Sequence, residues 1–121
     1  MPSPKILVVE DDTVQQLHIC QLLSTIDAEV IVASNGSEGM KKAQEEKPDL
    51  IFMDVVMPEV DGFAACRQIT QNAATKDIPV VIVSSKNQEA DKVWAQLQGA
   101  KAVVGKPYKD EEILKQVKEL L

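Results

Sequence analysis

Five short stretches of this chain are almost continuously apolar: Lys5 to Glu10, Glu29 to Ala33, Asp49 to Asp54, Pro79 to Ser84 and Ala102 to Gly105. An unbroken apolar run, rather than strict alternation, is the pattern of a strand covered on both faces. Between these runs lie helical patterns over roughly 13–25, 36–46, 62–71, 87–98 and 109–120. The last is the clearest, with Ile113, Leu114, Val117, Leu120 and Leu121 on one face and Lys115, Lys118 and Glu119 on another. It opens with Asp110, Glu111 and Glu112, which suit the positive end of a helix dipole. The second is weaker, because Gly39 inside a helix costs about 1 kcal/mol relative to alanine. Strands alternating with helices predict a doubly wound α/β fold, five parallel strands with helices on both faces.

Length and charge narrow the picture. At 121 residues the chain is expected to be one domain over 1–121, and it stops where the fifth helix stops, leaving nothing for an output domain. No apolar run approaches the roughly 20 residues that span a bilayer, and Met1-Pro2-Ser3-Pro4 has no secretory pattern. A cytoplasmic location without membrane insertion is expected. A net charge of −6, with no basic patch denser than Lys41-Lys42, argues against direct nucleic-acid binding. Cys20 and Cys66 lack metal-ligand spacing and fall in helical patterns, so both are expected as reduced, half-buried thiols.

In a parallel sheet every carboxyl end points to one edge, where loops build the ligand site. Here the strand ends carry Glu10-Asp11-Asp12, Asp54, Ser84-Ser85 and Lys106-Pro107. Clustered carboxylates repel by about 4 kcal/mol per unit pair at 4 Å and an effective dielectric of about 20, so a cation is expected among them. An incomplete all-oxygen set suits Mg²⁺, which keeps several waters and binds substrate phosphate. A carboxylate can itself attack phosphorus, and Lys106 would neutralise charge developing on the phosphoryl oxygens. Taken singly these residues have plainer roles: Asp12 as a helix cap, Ser84 and Ser85 as turn residues, Lys106 as a solvated charge. It is their joint placement at one edge that points to a site.

The stretches "KILVVEDD", "NGSEGM", "PDLIFMDVVMPEVDG", "IPVVIVSS" and "QGAKAVVGKPY" resemble the receiver domains of bacterial two-component response regulators, CheY among them, along essentially the whole chain. The resemblance implies strand order 2-1-3-4-5 and Asp54 as the phosphoacceptor. It implies Asp11 as a direct Mg²⁺ ligand, Glu10 acting through water, and the backbone carbonyl of Val56 completing the protein's share of the shell. Asp12 then falls to helix capping or charge support. Ser84 takes the switch hydroxyl position, Lys106 is the family's lysine before Pro107 in a cis peptide, and small Ser85 leaves a path for water or a phosphatase. Val103 stands where the family often has a switch aromatic. The phosphodonor implied is a sensor histidine kinase, and the output is a protein partner on the face of the fourth helix, fifth strand and fifth helix, with Trp94, Val103 and Tyr108 as face residues. The plainer reading of both Trp94 and Tyr108 is as packing residues, Tyr108 rather than a switch. A monomer or weak dimer is expected. "SSKNQEADKVWAQLQGA" is similar to single-domain receivers of type IV pilus chemosensory systems, the PilH and PilG kind.

Other functions fit less well. An aspartyl phosphatase of the haloacid dehalogenase type wants a second Asp two residues after the nucleophile, where this chain has Val56. A flavodoxin-like nucleotide binder would meet repulsion from Glu10-Asp11-Asp12, and no phosphate-cradling glycine motif is present. A phosphorylation-independent adaptor does not require the intact acid, hydroxyl and lysine set. The chain is thus expected to signal rather than turn over substrate. His18 reads as a structural histidine away from the sheet edge, and Asn35-Gly36 and Asp61-Gly62 as turns into helices.

Overall fold

A computed structural model of the chain describes residues 3–55, 57 and 61–121. Five strands, β1 (Lys5–Val9), β2 (Glu29–Ala33), β3 (Leu50–Met53), β4 (Val80–Ser84) and β5 (Ala102–Gly105), pair in parallel in the order β2-β1-β3-β4-β5. Five helices alternate with them: α1 (Thr13–Leu23), α2 (Gly36–Glu46), α3 (Gly62–Gln71), α4 (Glu89–Leu97) and α5 (Asp110–Leu120). The α/β architecture and strand order are those expected. The carboxyl-end edge turns about the switch point between β1 and β3, where open parallel sheets hold their ligands.

Two apolar layers flank the sheet. On one side Ile6, Val8, Leu50, Phe52, Val81 and Val83 pack against Ile19, Leu22 and Leu23 of α1 and Ile113 of α5. On the other, Leu7, Val9, Ile51, Met53 and Ile82 pack against Ala43 of α2, Ala65, Cys66 and Ile69 of α3 and Ala95 of α4. Gly39 has its reason here. A Cβ there would lie 2.8 Å from Val9 Cγ2, so the glycine lets α2 approach β1 closely.

The pattern misleads in two respects. Continuous apolar runs predict burial of all five strands, yet β2 fully buries only Ala33 and β5 only Val104, because these are the edge strands. The strands also end sooner than the apolar runs, at Val9 and Met53, because the chain turns away where Glu10 and Asp54 begin the loops. The fourth helix begins at Glu89 rather than 87, where Gln88 supplies its N-cap and Asp91 closes a capping box.

Candidate functional site

Three residues of the carboxyl-end edge are placed by a hydrogen bond that carries the sheet one position past a strand. The N–H of Glu10 donates to the carbonyl of Ala33 at 3.0 Å, that of Asp54 to Val9 at 2.9 Å and that of Lys106 to Ser84 at 3.0 Å. Three backbone positions at the site are therefore held by the ladder rather than by flexible loop. Asp12 starts α1, its side chain accepting from the N–H groups of Val14 and Gln15. Asn35 and Asp61 cap α2 and α3 in the same way, as their turn positions suggest.

Carboxylate oxygens of Glu10, Asp11 and Asp54, one from each, lie within 4.8 Å of one another. Glu10 and Asp54 are buried and Asp11 is exposed at the rim. Across from them the Lys106 Nζ stands 2.7 Å from Glu10 Oε1 and 3.4 Å from Asp54 Oδ1, and also donates to Gln15 Oε1. Three acids face one lysine, which leaves net negative charge in a partly dry site and suits a hard cation. The carboxyl of Asp11 is pushed above the usual aspartate range, first by partial withdrawal from water, then by its hydrogen bond with Glu10 and the charges of Glu10 and Asp12. A cleft of about 650 Å³ opens over this cluster, with Gln15, His18, Ser85, Pro107 and Tyr108 completing its walls. The Lys106–Pro107 peptide is cis.

This arrangement of acids, lysine and cis peptide on a 2-1-3-4-5 sheet coincides with a sequence match: the model of the response regulator receiver domain fits residues 6–118. The chain belongs to the response regulator receiver family. The receiver is 42% identical to PilH of Pseudomonas aeruginosa over 97% of both chains. It is 32% identical to PilG of the same organism over 94% of this chain and 84% of that one. Longer transcriptional regulators, such as PhoP of Bacillus subtilis, are matched over 49% of their own length. Among solved structures it is similar to the chemotaxis protein CheY4 of Vibrio cholerae, with a TM-score of 0.91, 27% identity and coverage of 98% and 99% of the two chains.

The remaining residues of the receiver are distributed unevenly about the cleft. Ser85 lines it, but Ser84 is wholly buried and its hydroxyl accepts from the N–H of Lys86 at 3.0 Å. Asn87 holds the same loop, its Nδ2 donating to the carbonyls of Ser84 and Ser85 at 3.3 and 3.2 Å. Gly105 makes room for it, since a Cβ there would lie 2.8 Å from that Nδ2. Val56 lies outside the described residues.

Trp94, Val103 and Tyr108 have different neighbours. Trp94 of α4 meets Phe63 of α3 edge to face, with ring centroids 6.5 Å apart. Val103 lines a separate groove between α4, β5 and α5 with Lys92, Glu112 and Lys115. Tyr108 stacks on His18 at 5.6 Å within the cleft wall, its hydroxyl pushed above the usual tyrosine range by burial first, then by the charges of Glu10, Asp110 and Cys20.

His18 is thus not remote from the sheet edge: it lines the cleft, exposed, with Nε2 3.8 Å from Asp110 Oδ1. The helical turn explains the difference, because α1 starts at the edge and a residue five positions into it still rises beside the loop of Pro107. Gln15, also missed by sequence reasoning, is one turn earlier on that side and grips Lys106. The one signal in the chain was the helical spacing of Gln15 and His18 after Asp12.

Proposed function

We propose that this receiver is a phosphorylation-controlled switch in which Asp54 accepts a phosphoryl group from a phosphohistidine on a sensor histidine kinase. The observation that carries this reading is the convergence of Glu10, Asp11 and Asp54 oxygens within 4.8 Å, with the Lys106 ammonium beside Asp54. An Asp54 oxygen attacks phosphorus as the P–N bond breaks, and the departing imidazole nitrogen takes its proton from solvent. In the return step water attacks phosphorus, the acyl O–P bond breaks, and the carboxylate and inorganic phosphate are released. Lys106 would leave Gln15 and Glu10 to pair with the new phosphoryl oxygens.

The donor set of Glu10, Asp11 and Asp54, oxygen only and short of a full shell, fits Mg²⁺ that Asp11 and Asp54 would hold, with Glu10 acting through water. When bound, the ion supplies neutralising charge to the phosphoryl oxygens. Ser84 is the switch hydroxyl: its O–H would donate to the phosphoryl group, and as the side chain swings toward it the Lys86 N–H contact stretches and strains the loop whose Ser84 and Ser85 carbonyls Asn87 holds. That movement reshapes the α4, β5 and α5 groove where a downstream partner binds. Val103 has no ring to rotate there, so the signal runs through the Ser84–Asn87 loop rather than through an aromatic residue.

The resemblance to PilH over nearly the whole of both chains supports action as a single receiver domain in the cytoplasm, within a type IV pilus chemosensory pathway. A kinase carrying labelled phosphohistidine tests the reading. Label should pass to the wild-type chain in Mg²⁺ and fail to pass to Asp54→Asn. Equal transfer to both would refute it.

A further inference from the structure

Away from the cleft, six large apolar side chains among the described residues are exposed. Three of them, Val93 at 54%, Trp94 at 52% and Leu97 at 71%, fall within one and a half turns of α4. The helix buries its opposite side through Ala95, and the stripe continues onto α3 through the contact of Trp94 with Phe63. The platform is firm. Thr70 Oγ1 of α3 donates to the carbonyl of Gln98 at 2.8 Å, the Cys66 thiol donates to the same oxygen at 3.4 Å, and Gly99, at φ 94°, packs against Thr70. Exposed large apolar side chains are ordinary when scattered, whereas a contiguous patch marks a contact surface.

Charge says what covers it. From Gly62 to Lys76 and from Lys92 to Lys109 the chain has no Asp or Glu, although the whole molecule carries −6. Arg67, one turn beyond Phe63 on α3, is exposed, as is Lys101 just past the end of α4. Neither makes an ion pair among the described residues. Beyond Glu89, which stands one turn before Val93 with Lys92 3.9 Å away, the apolar stripe runs between free cations and complements an apolar stripe flanked by carboxylates.

We propose that the α3–α4 face docks an acidic amphipathic helix of a partner protein, its apolar side on Val93, Trp94 and Leu97 and its carboxylates toward Arg67 and Lys101. This surface is separate from the α4–β5–α5 groove, on the other flank of α4, and docking there does not depend on phosphorylation of Asp54.

Trp94 is the only tryptophan, so its emission reports the face directly. The probes are two tryptophan-free helical peptides of about 18 residues, both with leucines at i, i+3, i+4 and i+7, one with glutamates and one with lysines elsewhere. The glutamate peptide should shift Trp94 emission to the blue with saturation and bind at least about tenfold more tightly than the lysine peptide at low salt. Leu97→Glu, at an exposed site that leaves the core intact, and Arg67→Glu should each weaken that binding by about tenfold, with circular dichroism confirming the fold. No saturable shift, equal binding of the lysine peptide, or binding unchanged in both variants would overturn the proposal. So would a blue shift produced by raising the concentration of the protein alone, which would assign the face to a second copy. A shift on phosphatidylglycerol vesicles that the glutamate peptide cannot displace would assign it to membrane and overturn it equally.

Discussion

At the scale of single residues, the position of Asp54 depends on a glycine eight residues later. A Cβ on Gly62 would lie 1.9 Å from the Asp54 carbonyl oxygen, a backbone atom that cannot rotate away. Gly62→Ala must therefore displace the start of α3 or the Asp54 loop. It should lower stability by about 1–3 kcal/mol in urea melts, with phosphorylation impaired in the molecules that still fold. Asp61-Gly62 reads as a turn from sequence, but that the glycine touches the backbone of Asp54 depends on a contact no local pattern encodes. Gln15 and His18 escaped for the same reason: a polar residue on an exposed helix turn looks solvated until the loop of Lys106 and Pro107 is folded beside it. Cys66 illustrates the opposite case, since its helical apolar setting already implied an inert thiol. Burial pushes that thiol up to about 12, and Cys20 upward in the same sense. An acid whose folded value is raised favours the protonated folded state. Its contribution is full below the unfolded value near 9 and is lost as pH rises through 12. Alkaline melts should thus show stability falling from about pH 9, by a few kcal/mol in total from Cys66, and Cys66→Ala should flatten that slope. A flat profile in the wild type would contradict the burial of Cys66.

At the scale of elements, the strands were legible because parallel strands buried on both faces read as unbroken apolar runs, and all five runs became strands. Their ends were less legible, since apolar content does not say where a chain leaves the ladder. Here that boundary matters, for Glu10, Asp54 and Lys106 lie one residue beyond β1, β3 and β5. The contacts of Trp94 and Val103 were not legible: α4 turns Trp94 toward Phe63 of α3 while Lys92 borders the groove with Val103. Thr70 links α3 to the end of α4, its hydroxyl within reach of the Gln98 carbonyl at 2.8 Å and of the Cys66 carbonyl of its own helix at 2.9 Å. Thr70→Val keeps the shape and removes that donor. It should cost about 1 kcal/mol by denaturant titration and move Trp94 emission, because the Gln98 carbonyl would keep only the weaker Cys66 thiol as a donor from α3. An unchanged stability and spectrum would show that the helices are fixed by packing instead.

At the scale of the molecule, charge is divided. The carboxyl-end edge gathers acids against one lysine, while the stretches 62–76 and 92–109 have no acid and, apart from that lysine, carry Arg67, Lys76, Lys92, Lys101 and Lys109. Both halves of that division are visible in the sequence once the fold brings strand ends to one edge and pairs α3 with α4 on one side. What the fold adds is the resting state of the lysine, engaged by Glu10 and Gln15, and of the Ser84 hydroxyl, engaged by Lys86. A phosphoryl oxygen would have to draw the lysine away from Glu10 and Gln15, whereas the Ser84 hydroxyl keeps its own O–H to donate while it accepts from Lys86, and phosphorylation of Asp54 is the central event of the proposed switch. The most direct measurement is intact mass after incubation with acetyl phosphate and Mg²⁺. The account predicts a gain of one phosphoryl group that is absent in Asp54→Asn, suppressed by EDTA and retained in His18→Ala. Labelling that persists without Asp54, or that disappears with His18, would contradict it.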